Sequence, residues 1–254
     1  MTLRRMLPLL LALAMPAVRA ADPRPDLLVY ATASLNQSLT QASDLYAKET
    51  GQHVTLSFGA SPALARQIEG GSKADVVVCT DAEWVDFAEK RKLVDPATRG
   101  NLLRNRLSLI APAGSKLDLT IARSFDLHGA LGKGKLAMGE PETVPLGRYS
   151  RYALISLGVW NAVGERLAKQ GNPRNVISAV AEGTAPLGIA FETDALLDKR
   201  VRIVDVFPAD SHPPISYLMA ATPGAQDGSG RFMEFLRSNS SRAVFQRYGF
   251  RPAQ

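Results

Sequence analysis

Apolar positions along this chain switch repeatedly between a spacing of two and a spacing of three to four, and the switching predicts a layered α/β protein. Residues 26–31 (DLLVYA) read as a strand. Leu35, Leu39, Ala42 and Tyr46 then recur at helical spacing until Gly51. Residues 53–58 (HVTLSF) alternate as a second strand, and a helix follows over about 62–69, closed by Gly70-Gly71. Residues 74–79 (ADVVVC) form a short continuous apolar run, the mark of a strand buried on both faces. Thr80-Asp81-Ala82-Glu83 has the capping-box spacing that opens another helix.

A second series starts at the strand-like run 107–111 (LSLIA). It continues through a strand at 135–138, helices at about 145–157 and 175–182, and strands at 187–191, 202–207 and 216–220. One amphipathic helix is predicted over about 230–248. This order predicts α/β architecture in two lobes, each a mainly parallel sheet flanked by helices. Residues 26–105 with 208–254 form lobe one and residues 106–207 lobe two, with crossings near 104–108 and 205–209. Ligands of such sheets sit where strands end and helices begin, so a cleft between the lobes is the expected site.

The first twenty residues change the picture of the rest. Arg4 and Arg5 precede an apolar run from Met6 to Met15, and Val18-Arg19-Ala20 ends in a small residue, the three-part pattern of a secretory signal peptide over residues 1–20. The run is too short for a bilayer, which needs about 20 apolar residues. A periplasmic location follows. Cys79 is the only cysteine, so stability is expected from a hydrophobic core rather than a disulfide. Removal of Arg4, Arg5 and Arg19 lowers the formal charge from +6 to +3. That balance steers small anions and, with no Lys/Arg block in the chain, does not suit nucleic acid.

Three strand-to-helix junctions have the chemistry of an anion site: Ala31-Thr32-Ala33-Ser34-Leu35, Gly59-Ala60-Ser61-Pro62 and Val144-Pro145-Leu146-Gly147. A helix N-terminus offers N–H groups without partners and a favourable dipole. Taken singly, each serine is better read as a helix N-cap. Taken together over two lobes, the junctions favour a cleft. Hydrogen bonds to a charged group contribute about 1.5–3 kcal/mol each, and a micromolar site needs about 8 kcal/mol. Four to six neutral donors (roughly, by that arithmetic) therefore hold a dianion without a buried lysine or arginine.

The chain resembles the periplasmic molybdate-binding proteins of ABC importers, which have the type II periplasmic binding protein fold. The resemblance runs over the whole chain after residue 20. It rests on Ala31-Thr32-Ala33-Ser34-Leu35, Ser61 with Leu64-Ala65-Arg66-Gln67-Ile68-Glu69, Ala74-Asp75-Val76, Gly139-Glu140-Pro141-Glu142-Thr143-Val144-Pro145, Ala185-Pro186-Leu187-Gly188-Ile189, Phe207-Pro208-Ala209-Asp210-Ser211-His212 and Arg247-Tyr248-Gly249-Phe250. It implies an oxyanion ligand, molybdate or tungstate, held by the hydroxyls of Ser34 and Ser61 and the backbone N–H groups of Leu146 and Val176. No residue would ligate a metal cation directly, and no cofactor is implied. The family commonly adds a tyrosine hydroxyl at the position of Phe191, and three readings follow: Thr32 or Thr193 stands in for it, the site is weaker, or the preferred ligand is a different oxyanion or small organic anion. The implied partners are a permease and its separate ATPase, with the protein acting as a monomer and not as an enzyme.

Other chemistry is poorly served. Gly59-Ala60-Ser61-Pro62-Ala63 resembles a nucleophile elbow without its last glycine, and Pro62 lacks the N–H that would build the oxyanion hole. His53, His128 and His212 are tied to Ser61 by no motif. Gly129 to Lys135 has the front of a P-loop, but Leu136 replaces the Mg²⁺-binding hydroxyl and the lysine leads into a strand. Glu140 and Glu142 are expected as surface charge or as aids to lobe closure. Trp84 and Trp160 are expected in the core. A receptor for an organic ligand would draw on Arg148, Tyr149, Arg151 and Tyr152; the i, i+4 pair Arg148 and Tyr152 shares one helix face, expected to face solvent.

Overall fold

The computed structural model describes residues 25–80 and 82–253. The export segment 1–20 and Asp81 of the capping motif lie outside them. The first unit runs β1 (Leu27–Thr32), a 3-10 turn (Ala33–Leu35), α1 (Asn36–Thr50), β2 (Val54–Gly59), α2 (Ser61–Glu69), β3 (Val76–Thr80), α3 (Ala82–Lys90) and β4 (Gly100–Asn105). Arg106 then carries the chain into a second unit. This comprises β5 (Leu107–Pro112), α4 (Leu127–Leu131), β6 (Leu136–Gly139), α5 (Pro145–Ser156), α6 (Trp160–Val163), β7 (Leu167–Gln170), α7 (Pro173–Ala181), β8 (Leu187–Phe191), α8 (Glu192–Leu197) and β9 (Val201–Val206). The chain returns to the first sheet with β10 (Ile215–Ala221), α9 (Gly228–Leu236), α10 (Asn239–Arg247) and β11 (Arg251–Pro252).

Two sheets result, ordered β11-β4-β10-β3-β1-β2 and β7-β6-β8-β5-β9. The repeating strand-helix segments pair in parallel, as expected: β1 with β2 and β3, and β6 with β7 and β8. The strands next to the crossings do not. β10 is antiparallel to both β3 and β4, β11 to β4, and β5 to both β8 and β9. The sheets are thus mixed rather than mainly parallel. The physical reason is that each crossing delivers its strand without an intervening helix to reverse direction, so it enters the new sheet against the βαβ strands.

Packing follows the apolar pattern. Every residue of Val76–Thr80 is buried, as the continuous run predicted for a central strand. Leu39, Ala42 and Tyr46 form the buried stripe of α1, which ends at Gly51 with φ +72°, its N–H bonded to Ala47 O at 2.8 Å. Tyr46 meets the ring of Phe232 edge-on at 5.1 Å, so α9 packs beneath the unit that begins the chain. The predicted C-terminal helix is two helices. Arg237 closes the first and Ser238 caps the second, its hydroxyl accepting from Ser241 N–H at 3.3 Å. Both tryptophans are half-buried: Trp160 packs against the core, and Trp84 meets Phe87 edge-on. After Lys135 the chain enters β6, not a helix, which removes the P-loop reading.

Candidate functional site

The first sheet has its topological switch point between β1 and β3, the second between β6 and β8. Every predicted site residue lies at or just beyond the carboxyl end of a parallel strand. Thr32 and Ser34 follow β1, Ser61 follows β2, Leu146 follows β6, Val176 follows β7 in α7, and Phe191 and Thr193 stand at the end of β8.

Neither serine serves as a helix cap. Ser34 sits inside the 3-10 turn, and its Oγ is 3.1 Å from the phenolic oxygen of Tyr217. Ser61 is the first residue of α2, with Ala60 at the cap position, and its hydroxyl donates to Thr80 O at 3.2 Å. Thr80 in turn donates through Oγ1 to Thr32 Oγ1 at 3.3 Å. The structure therefore brings Ser61, Thr80 and Thr32 into one polar cluster.

A second cluster surrounds Ser34. Tyr217 enters from β10, whose antiparallel register sets it opposite Thr80. Asn105, the last residue of β4, donates through Nδ2 to Tyr217 OH at 3.1 Å and to Thr193 Oγ1 at 2.9 Å. Burial, and next the charge of Asp194, push the Tyr217 phenol above its ordinary pKa, so it stays protonated. Sequence reasoning singled out neither Asn105 nor Tyr217. A polar side chain inside an apolar strand was the available signal. Thr193 is fully buried with its oxygen accepting from Asn105, which places it in this network.

The second unit presents helix ends. Val144 is the cap residue of α5 and Pro145 its first residue, so the Leu146 N–H has no acceptor within the helix. The first turn of α5 rests directly on the end of β6. A Cβ on Gly147 would collide with the backbone oxygens of Gly139 and Glu140, and one on Gly139 would lie 2.6 Å from Gly147 N. In α7, Asn172 caps Asn175 N–H at 2.9 Å, and Val176 follows as the fourth residue.

Arg148 does not face solvent as expected. It reaches across to Glu83 in the first turn of α3 at 3.0 Å, joining the two units. Glu140 and Glu142 instead pair within their own unit, with Lys169 at 3.2 Å and Arg151 at 2.9 Å. At the junction of the units a cavity of about 630 Å³ is lined by Glu83, Arg99, Arg148, Tyr149, Tyr152 and Ser216, among others. Ser34, Ser61, Leu146 and Val176 do not line it. Thr32, Ser61, Leu146, Val176 and Phe191 are buried, and Ser34 is half-buried. The two units are tied by the Glu83–Arg148 pair, the Asn105–Thr193 bond and the Tyr149–His212 ring contact.

Hydrolytic chemistry has no support in this geometry. The Ser61 hydroxyl is bonded to a carbonyl oxygen rather than to a base. His212 donates from Nδ1 to Pro213 O at 2.8 Å and packs edge-on against Tyr149. Among the described residues there is no cluster of His, Cys, Asp and Glu able to hold a metal ion.

The chain is 38% identical over 224 residues to the molybdate-binding protein ModA of Escherichia coli (strain K12), covering 87% of each chain. It is 35% identical over 224 residues to the ModA of Haemophilus influenzae, covering 87% of this chain and 88% of that one. Its fold superposes with a TM-score of 0.77 and 25% identity on the substrate-binding domain of a putative molybdenum ABC transporter from Clostridium difficile, covering 91% of this chain and all of that one. The model of the bacterial extracellular solute-binding protein family matches residues 27–251, and the chain belongs to that family.

Proposed function

We propose that this protein captures molybdate, with tungstate as a near-isosteric second ligand, and delivers it to the permease of an ABC importer whose ATPase is a separate protein. The observation that carries the reading is the pair of serines at the ends of β1 and β2. Neither is used as a helix cap, and both stand just beyond the carboxyl ends of neighbouring parallel strands. The names of the two ModA relatives support the choice of ligand.

In this reading Ser34 and Ser61 donate their hydroxyls from one lobe, residues 26–105 with 208–254. The N–H groups of Leu146 and Val176 donate from the other, residues 106–207. Neutral donors in a buried setting stabilise the dianion strongly and fix the cavity radius, so size rather than charge selects the ligand. Binding shifts the population toward a closed form that the permease recognises, and no bond is made or broken. Residues 1–20 direct export and are removed, and the monomeric mature protein works in the periplasm.

Calorimetric titration with molybdate, tungstate, sulfate and phosphate tests the proposal. Tight binding of the first two with silence for the others is the expected result. Silence for all four would overturn it.

A further inference from the structure

We propose that Asn105 and Tyr217 fix which way the Ser34 hydroxyl donates, making them positioning residues of the anion site. This rests on the reading of Ser34 as an anion donor. The amide of Asn105 has a defined orientation, because the N–H of Arg106 needs an acceptor and finds Asn105 Oδ1 at 2.9 Å. Nδ2 therefore lies on the other side, where it donates to Tyr217 OH at 3.1 Å and to Thr193 Oγ1 at 2.9 Å.

An oxygen that accepts from Asn105 sends its own hydrogen elsewhere, and Ser34 Oγ stands 3.1 Å from it. In the proposed relay Tyr217 donates to Ser34, with Thr80, the other hydroxyl side chain hydrogen-bonded to the phenol, as the competing acceptor. The serine hydrogen is then turned away from Tyr217 and freed for a ligand. The relay runs Asn105 Nδ2–H to Tyr217 O–H to Ser34 O–H to anion, each bond polarising the next in a buried setting. Asn105 and Tyr217 are 7% and 0% exposed, so water does not compete. With Phe191 in place of a tyrosine, a more strongly polarised Ser34 offsets the missing donor. Asn105 is also the last residue before the crossing at Arg106, whose side chain is paired with Glu192 and whose carbonyl accepts Glu192 N–H at 2.9 Å. The relay is thus anchored where the two units join.

The test is calorimetric titration of the mature protein with molybdate for wild type, S34A, Y217F, the S34A/Y217F double variant and N105D, with thermal melting of each. Ser34→Ala and Tyr217→Phe should each weaken binding by about tenfold or more. The double variant should be no weaker than S34A, because Tyr217 acts only through Ser34. Asn105→Asp preserves shape but replaces a donor by an acceptor at pH 7.5, which reverses the relay and should match the Tyr217→Phe loss. Its deficit relative to wild type should shrink as pH falls to 5 and the introduced carboxyl regains a proton to donate. Asp194, Glu192, Arg106 and Arg174 also carry charge near this point, so wild type is titrated beside N105D at each pH.

Wild-type affinity in Y217F alongside a weakened S34A overturns the relay and leaves the anion site standing. A pH-independent deficit in N105D also overturns it, since a merely structural role has no proton to recover. Unchanged affinity in S34A overturns the anion site itself and the relay with it. If Y217F does not melt cooperatively, the pH dependence of N105D decides.

Discussion

Glu83 and Arg148 meet at 3.0 Å across the boundary between the two sheets, each in the first turn of a helix that follows a central strand. Arg148 stands two residues beyond Leu146, and Glu83 three beyond Thr80, so this pair links the first turns of α3 and α5. Glu83 is 67% exposed. The pair is therefore worth about 0.2–1 kcal/mol. Glu83→Gln should weaken molybdate binding by less than about fivefold, with the difference vanishing at high salt. Calorimetry at low and high NaCl checks this, and a loss insensitive to salt would contradict an electrostatic clasp.

Ser61→Ala removes a hydroxyl that donates to Thr80 O. Rotated toward an anion, that hydroxyl contributes about 1.5–3 kcal/mol, so affinity should fall by roughly 10- to 150-fold with little change in melting temperature. The titration and melt used for Ser34→Ala measure both quantities.

Phe191 is 2% exposed at the cap position of α8. Phe191→Tyr should tighten molybdate binding by less than about tenfold in the wild-type background, where Ser34 is already polarised, and by more in Y217F. An equal gain in both backgrounds would count against compensation.

Gly147 packs backbone to backbone against the end of β6. Gly147→Ala forces the first turn of α5 outward, moving the Leu146 N–H. We expect a loss of about 1–3 kcal/mol in stability and a larger proportional loss in affinity. Denaturant unfolding with and without molybdate separates the two.

The Oδ2 of Asp194 is buried with no hydrogen-bond partner, although the residue as a whole keeps some exposure. Burial pushes its carboxyl up to about 7, against the opposing charge of Arg174. The folded state thus holds a proton that the unfolded chain releases near pH 4. Its contribution to stability is greatest below that point and is lost as pH rises toward 7. Asp194→Asn should remove on the order of 2 kcal/mol of this decline, allowing for the partial exposure. Melting temperatures at pH 5 and 8 should differ less in the variant than in wild type. An unchanged difference would refute the assignment.

The strand-helix repeats of both units were legible because α1 and α2 bury one stripe while β3 is buried throughout. Strand direction was not. β5 and β10 are nearly all buried, and a run of that kind reads the same whether its neighbours run with it or against it. β4 shows only Leu102 and Leu103 as buried apolar residues, too little to mark a strand. The serines were legible as junction residues. Their partners Tyr217 and Asn105 were not, because Tyr217 is brought to Ser34 from 183 residues away by an antiparallel register that no local pattern specifies.

The mixed sheets carry a consequence for the order in which the protein matures. Every strand of the second sheet comes from one uninterrupted stretch, Leu107 to Val206, whereas the first sheet draws β10 and β11 from the C-terminal end. During synthesis or passage across a membrane, the amino-terminal strands emerge first yet lack the strand that lies between β3 and β4. The middle of the chain can complete its own sheet earlier. The half of the protein made first is therefore finished last, and the Ser34–Tyr217 contact exists only once the chain is nearly whole.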